Sequence, residues 1–448
     1  VLFLSWIVYF FGKATGLTKI QSFRTSLILV SSFYIIGITN EAPWDIFTHS
    51  FMVLGLYYLY RFLQHERKPL IYGFWSALFI GLSVLSKGPV SAYALFLPFV
   101  IAYLIVYKEQ SVKKVVIPVV LILIIGVLTG SWWYLYVRIA DPEAFMTIAT
   151  KETSNWGSYN VKPFYYYWSF FLQSGIWAIP ALLSLFYPYL VKRIQPVKSY
   201  KLFFWWTLLS VILLSIIPEK KSRYLMPVLI PLAFTIGFYM EYLISNFKVL
   251  KSKKETLPVY FNFMLIALIC FGIPLVLLSI STNIMQTHPV SFSGFIIVCL
   301  MLGLSLIKAL LKRNMQLVFY LTVSVFGAFL LFGIPLSQAL QNRDKYNSII
   351  TLHEIEDKEN IHSYSIGELT PELVWDYHGK VPNIFENEVL ALPAENRFGL
   401  LIMTRDLPVV LPQLEQHYYV AFKAQYDLNV AEKKKDRLVR EFYIVTKK

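Results

Sequence analysis

A series of long apolar runs divides this chain, and that pattern decides its fold class. The runs lie at 1–12, 25–39, 46–64, 71–86, 90–107, 115–137, 165–191, 203–217, 225–244, 262–282, 293–311 and 317–340. Many of them approach the ~20 residues with which a helix crosses a bilayer. Only 15% of the residues are charged, against about 25% in soluble proteins. The sequence therefore predicts a polytopic α-helical membrane protein with about 12 helices.

The composition becomes polar after residue 340. Short alternating segments at 399–404 and 417–422 favour strands, and a basic stretch at 430–440 favours a helix. We therefore expect a transmembrane domain at 1–340 and a small soluble α/β domain at 341–448. Neither part contains a glycine-rich phosphate-binding fingerprint, so the sequence indicates no nucleotide site.

The connections between the apolar runs alternate in charge. One set is uniformly basic, at 13–24, 65–68, 108–114, 192–201, 248–255 and 312–313, and the intervening set at 40–45, 138–164 and 283–292 is not. Because Lys and Arg accumulate in cytoplasmic loops, we expect the basic set to face the cytoplasm. The other set and the C-terminal domain then lie on the outer face of the cytoplasmic membrane. Two outer connections break this rule, the tight turn 86–89 and the segment 218–224.

Those two exceptions contain the strongest functional signal. Segment 218–227 reads Pro-Glu-Lys-Lys-Ser-Arg-Tyr-Leu-Met-Pro. Lys and Arg hold phosphate oxygens by charge-assisted hydrogen bonds, and Arg can do so with two parallel bonds. We predict an anionic lipid head group as ligand, bound by Lys87, Lys220, Lys221, Arg223 and Tyr224. If one helix has been miscounted, the cluster is instead an ordinary basic cytoplasmic loop.

Three acidic residues of the outer connections are candidates for supporting roles. Glu41 and Asp45 lie at the mouth of two helices, and Glu152 lies in the long loop 138–164. Ionisable groups at membrane depth are functional candidates, whereas helix capping by Asp45 is the alternative. His49 follows Asp45 by one turn and is placed to hydrogen-bond with it.

Four consecutive aromatic residues, 165–168, follow the long loop. Such residues are enriched at membrane–water interfaces, so an aromatic belt is the simplest interpretation. Stacking on sugar rings is the alternative.

The remaining chemistry-bearing residues indicate no cofactor. Cys270 and Cys299 fall inside apolar runs without a Cys-x-x-Cys partner, and the seven histidines have no metal-ligand spacing. A divalent metal is compatible with the sequence but is not indicated by it. The net charge of +14 follows from the basic connections, so we expect no nucleic-acid partner.

The combination of motifs resembles the GT-C glycosyltransferases of the protein-mannosyltransferase and aminoarabinose-transferase type. The resemblance covers about residues 20–245. It consists of the acidic connection at 40–45, Lys87-Gly-Pro, Glu152 followed by the Pro-aromatic-Tyr-Tyr run at 163–167, and Lys-Ser-Arg-Tyr-Leu-Met-Pro at 221–227. Of these, the last motif is the most specific.

The resemblance implies a membrane enzyme that takes a sugar from a polyprenyl-phosphate donor on the outer face. Lys87, Arg223 and the neighbouring lysines would hold the donor phosphate, with Asp45, Glu41 and Glu152 in supporting roles. In this family the carboxylate base lies in a first outer loop after the first helix. We expect that helix and loop before Val1, which would bring the total to about 13 helices. The acceptor stays open between lipid A, a protein and a glycan.

Two other classes of protein share a cationic outer site. A transporter would be expected to show repeated halves with broken helices, and no such halves are evident. A non-catalytic scaffold that binds an anionic lipid is the second alternative.

Overall fold

A computed structural model of the chain describes residues 1–35, 37, 45–65, 68–158, 160–280, 285, 288–340, 346–386, 389–429 and 435–448, without the side chains at 151, 152, 155–158, 280, 338–340, 386 and 389. The chain divides into two compact units, 1–281 with 293–331 and 282–292 with 332–448. The boundary at 340/341 that the composition suggests stays a prediction.

The first unit is almost entirely helical, as the apolar runs predict. Within the described residues, seven helices are long and apolar enough to span a membrane, at Pro69–Lys87, Val112–Ala140, Val197–Ile216, Ser222–Asn246, Lys253–Ser279, Pro289–Leu311 and Met315–Ser337. Further helices lie at Leu2–Ala14, Lys19–Val30, Asp45–Leu63 and Leu97–Val106. The multi-helix membrane architecture is confirmed, and the expected count of about 12 stays a prediction.

The apolar run 165–191 is not one spanning helix. It is divided into 3-10 turns at Phe164–Tyr167 and Phe170–Trp177 and short helices at Ala178–Ser184 and Tyr187–Leu190. Gly175 has φ 63° and ψ −113°, a conformation that a glycine adopts without a steric penalty and that ends a helix. Hydropathy alone could not reveal this interruption.

The predicted outer loop 138–164 contains a helix, Pro142–Ser158. The carboxylate of Asp141 accepts a hydrogen bond from the backbone N–H of Ala144 at 3.0 Å. Proline at the first helical position and an acidic residue before it are a recognised helix start. The expectation of a loop was therefore wrong over these residues.

Arg24 is another residue whose predicted placement is wrong. We expected it in a basic connection, but the helix Lys19–Val30 begins with a capping box between Thr18 and Gln21 and includes Arg24. The buried Arg24 guanidinium pairs with the carboxylate of Glu241 at 2.6 Å.

The charged connections separate into two groups by contact. Lys198 pairs with Glu109, which joins the connections 192–201 and 108–114. Arg193 lies 3.7 Å from Glu255 and joins 192–201 to 248–255. The connections that break the charge rule instead contact one another, as described below. This separation agrees with the alternation of charge along the sequence.

The second unit contains a four-stranded sheet, whose strands are β1 Ser363–Ser365, β4 Arg397–Ile402, β5 Tyr418–Asp427 and β6 Val439–Lys447. Their order in the sheet is β1-β4-β6-β5. Strands β1 and β4 are parallel and the other pairs are antiparallel. A separate hairpin pairs β2, Phe385–Glu386, with β3, Val389–Leu390.

Helices Leu352–Glu359, Pro371–Tyr377 and Leu407–Glu415 complete this unit. The small α/β domain is thus confirmed. The prediction of a helix at 430–440 was wrong over its described residues, 435–440. They form a 3-10 turn, Asp436–Leu438, and the start of β6.

Candidate functional site

Lys87 and Asp45 form the first part of the site. Lys87 is the last residue of the helix Pro69–Lys87, and Asp45 is the first described residue of the helix Asp45–Leu63. The Lys87 Nζ lies 2.5 Å from Asp45 Oδ1, and the two side chains are 24% and 4% exposed. Gly88 follows with φ 74°, which lets the chain turn sharply beside the ammonium. The ends of the two helices are therefore joined by a largely buried ion pair.

The second part is residues 219–223, which we call the cationic turn. It lies between the helices Val197–Ile216 and Met226–Asn246, and its last two residues begin a 3-10 turn, Ser222–Leu225. Lys221 Nζ lies 2.6 Å from Glu219 Oε1 and 3.3 Å from the Tyr224 hydroxyl. Burial alone would lower the pKa of Lys221, but its hydrogen bonds to Glu219 and Tyr224 raise it above the ordinary value. Lys221 therefore stays charged.

The ring of Tyr224 brings the two parts together. The Nζ atoms of Lys87 and Lys221 lie 5.9 and 5.5 Å from its centroid, and Arg223 Cζ lies 5.9 Å away. Cations within about 6 Å of an aromatic ring are attracted by its quadrupole. Lys87 thus meets residues more than a hundred positions later in the sequence at one aromatic ring. The sequence could indicate this proximity only through the charge that these residues share.

Arg223 differs from the two lysines in having its donors available. Its side chain is exposed, and toward the described residues its guanidinium makes only the contact with the Tyr224 ring. Arg presents a planar fork of N–H groups that matches phosphate geometry. Arg223 is thus the cation of this site best prepared to receive an anion.

Lys220 is oriented differently from its neighbours. Its Nζ donates to the backbone carbonyls of Ile217 at 2.5 Å and Lys162 at 3.0 Å, and the residue is only 3% exposed. Burial lowers the pKa of Lys220 from its ordinary value. Sequence reasoning grouped Lys220 with the phosphate ligands, whereas these contacts make it a brace of the local backbone.

The end of the connection 138–164 packs against the cationic turn. Val161 and Glu219 form an isolated antiparallel bridge, and the backbone N–H of Lys220 donates to Asn160 O at 3.1 Å. The Tyr167 hydroxyl donates to Lys221 O and accepts from Lys221 N, both at 3.0 Å. Sequence reasoning missed this pairing.

The aromatic run 165–168 therefore divides in two. Tyr167 is 1% exposed and packs inside, whereas Tyr165 and Trp168 are 69% and 57% exposed. The aromatic-belt interpretation stays a prediction for the exposed residues.

The acidic candidates have different outcomes. Asp45 is in the site. Glu41 lies outside the described residues, and Glu152 is described only as part of the helix Pro142–Ser158, without its side chain. The expected hydrogen bond between His49 and Asp45 was wrong, because His49 Nδ1 bonds Ser91 Oγ at 2.7 Å. Among the described residues, no group of three or more His, Cys, Asp or Glu side chains could hold a metal ion.

Comparison with protein-family models and with curated protein sequences finds no match. Solved structures do match. ArnT from Cupriavidus metallidurans bound to undecaprenyl phosphate is 13% identical, with a TM-score of 0.59 over 99% of this chain and 82% of that chain. Its apo state is 14% identical, with a TM-score of 0.60 over 99% and 83%.

The chain has the fold of ArnT. At this identity the likeness establishes the fold, and it confirms at that level the resemblance that the motifs suggested. Asp45, Lys87 and the cationic turn thus belong to an ArnT-like architecture.

Proposed function

We propose that this chain is a membrane glycosyltransferase that moves a sugar from a polyprenyl-phosphate donor to an acceptor. The observation that carries the proposal is the convergence of Lys87, Lys221 and Arg223 on the ring of Tyr224. The ArnT fold supports it, because ArnT has been solved with undecaprenyl phosphate bound. The ligand proposed for this site is accordingly the phosphate of a polyprenyl lipid.

The arrangement of cations suits the chemistry of the leaving group. When the bond between the sugar carbon and the phosphate oxygen breaks, the electron pair stays on that oxygen and polyprenyl phosphate leaves with an additional negative charge. Cations fixed at this position stabilise the transition state more than the ground state. Arg223 would bind two phosphate oxygens, and Lys87 would contact the phosphate from the end of the helix Pro69–Lys87. Lys221 would act mainly through its charge, because Glu219 already accepts one of its bonds.

The acceptor must attack the sugar carbon while a base removes the proton of its hydroxyl group. Asp45 and Glu219 each bind a lysine that would face the phosphate. We therefore assign them to the leaving-group side and not to the base. The acceptor itself would be lipid A, a protein hydroxyl or a glycan.

We further propose that the site lies on the outer face of the cytoplasmic membrane, together with the soluble unit. The alternation of charge supports this placement, because the basic connections would then face the cytoplasm. The cationic turn would lie at the opposite surface, where a polyprenyl lipid can enter sideways from the bilayer.

Reconstitution of the protein with radiolabelled polyprenyl-phosphate sugars and a membrane extract tests the proposal. We expect wild-type protein to release polyprenyl phosphate, and Arg223→Ala and Lys87→Ala to lose that release while remaining folded. Lys114→Ala, which removes a cation from a connection of the basic set, is the matched control and should retain activity.

Wild-type turnover in Arg223→Ala would contradict the phosphate role. If folded wild-type protein binds undecaprenyl phosphate but releases none from any donor, a non-catalytic lipid-binding scaffold is favoured instead. Movement of the lipid across the vesicle membrane, without release of polyprenyl phosphate from a donor, would favour a transporter.

A further inference from the structure

We propose that Tyr167 is a positioning residue that fixes the backbone of the cationic turn and, through it, the direction of the Arg223 side chain. The inference rests on the proposed function, since it concerns how the phosphate ligand is oriented. It gives a role to a residue that the sequence placed only within the Pro-aromatic run 163–168.

The Tyr167 hydroxyl bonds the backbone of Lys221 as a neighbouring strand would. It accepts a hydrogen bond from Lys221 N and donates one to Lys221 O, both at 3.0 Å. A single side-chain atom thus bonds both backbone groups of Lys221, and the Lys221 carbonyl accepts a second hydrogen bond from Tyr224 N at 3.0 Å. Because a buried hydrogen bond is costly to lose, this hydroxyl favours one backbone conformation at the position two residues before Arg223.

The rest of the turn is held by the same neighbouring segment. Lys162 N donates to Pro218 O at 3.2 Å and Lys220 N donates to Asn160 O at 3.1 Å. On the other side of Lys221, Gln173 Nε2 donates to Ser222 O at 3.1 Å. Segment 160–173, which we call the clamp, therefore forms hydrogen bonds with the backbone on both sides of Lys221. Within the clamp, Tyr167 is the residue that bonds Lys221 itself.

Tyr167 acts through this backbone and not by touching the lipid. Its side chain is only 1% exposed, so its hydroxyl is enclosed by protein. Arg223 is exposed and uses only the Tyr224 ring as a protein contact among the described residues. A guanidinium with so few side-chain contacts takes its direction mainly from the backbone that carries it, which Tyr167 holds.

A binding cycle tests this role with undecaprenyl phosphate in detergent micelles as the probe. We expect Tyr167→Phe to weaken binding about tenfold, the usual range for losing a buried hydrogen-bonded group. In an Arg223→Ala background the same substitution should have almost no further effect, because the two residues act in series. Tyr165→Phe is the matched control, since it removes an exposed hydroxyl from the same run, and it should bind like the wild type.

Each outcome separates the two proposals. If wild-type protein does not bind undecaprenyl phosphate, the proposed function fails. If it binds and Arg223→Ala weakens binding, but Tyr167→Phe binds like the wild type, the positioning role is overturned while the function stands. Equal losses in both backgrounds also overturn it, because they indicate a general structural effect.

A second variant keeps the test decisive if Tyr167→Phe does not fold. Gln173→Leu removes the donor to the Ser222 carbonyl in the same clamp. It should weaken binding by a smaller factor, and only when Arg223 is present. A loss of the same size without Arg223 would refute the clamp as the source of the orientation.

Discussion

Replacing Asp45 by Asn should strengthen the binding of the leaving polyprenyl phosphate. Asp45 is the counter-ion of Lys87, with its Oδ1 atom 2.5 Å from Nζ. A phosphate bound on the far side of the Lys87 ammonium would lie roughly 6 Å from the carboxylate. Two like charges at that distance repel by about 3 kcal/mol at an effective dielectric constant of about 20. Because the Lys87 side chain is 24% exposed, water screens part of this, and we expect about 1 kcal/mol per phosphate charge.

The two lipids of the reaction should respond differently. A sugar phosphodiester carries one negative charge, whereas a phosphomonoester carries about 1.5 to 2 at neutral pH because its second pKa is about 6. The Kd of polyprenyl phosphate should therefore fall about tenfold in Asp45→Asn, and that of a phosphodiester analogue by less. Slower release of the product would then lower kcat. Between pH 5 and pH 8 the advantage of the variant should grow as the monoester ionises.

Equilibrium binding of both lipids to the purified protein measures this directly. Glu109→Gln is the control, since it removes a negative charge in a connection of the basic set and should leave both affinities unchanged. Weaker binding of both lipids to Asp45→Asn would refute the reasoning. It would mean that Asp45 mainly holds Lys87 in place, so that the lost ion pair outweighs the lost repulsion.

Two further predictions concern the structure around the site and the helix packing. Lys220→Gln should lower the unfolding temperature, because the Lys220 ammonium binds backbone carbonyls. Donor binding to this variant should keep its wild-type salt dependence. A flattened salt dependence, as expected for Arg223→Ala, would instead show that Lys220 contacts the phosphate directly. Gly126→Ala should destabilise the protein by about 1–3 kcal/mol, since the added Cβ would lie 2.8 Å from Ile80 Cγ2 and 2.9 Å from Ala77 O. Gly327→Ala, where nothing lies within 4 Å, should not lower the unfolding temperature measured in detergent.

Hydropathy predicted most of the fold because a bilayer requires long apolar helices. It failed where the chain near the site departs from a regular span. The run 165–191 is apolar enough for a helix, but Gly175 interrupts it. The helix Pro142–Ser158 was missed although Asp141 and Pro142 signal its start, because its composition is too polar for a span.

The site was predictable in its charges but not in the direction of its side chains. Lys87, Lys221 and Arg223 could be singled out because cations in connections expected at the outer surface break the positive-inside rule. Lys220 has the same charge and lies in the same motif, yet its ammonium binds a carbonyl 58 residues earlier in the chain. The role of Tyr167 likewise depends on a contact across 54 residues. Both are tertiary contacts, and no local pattern encodes them.

The balance of charge at the site suggests why two carboxylates lie beside the phosphate-binding cations. Lys87, Lys221 and Arg223 are the cations that would face a phosphate, since the Lys220 ammonium binds backbone carbonyls, and Asp45 and Glu219 each pair with one of these lysines. On the proposed function, a donor phosphodiester would supply one negative charge, whereas the leaving phosphate approaches two. Three cations without these carboxylates would bind both lipids more tightly and would retain the product, so partial neutralisation would favour turnover over affinity.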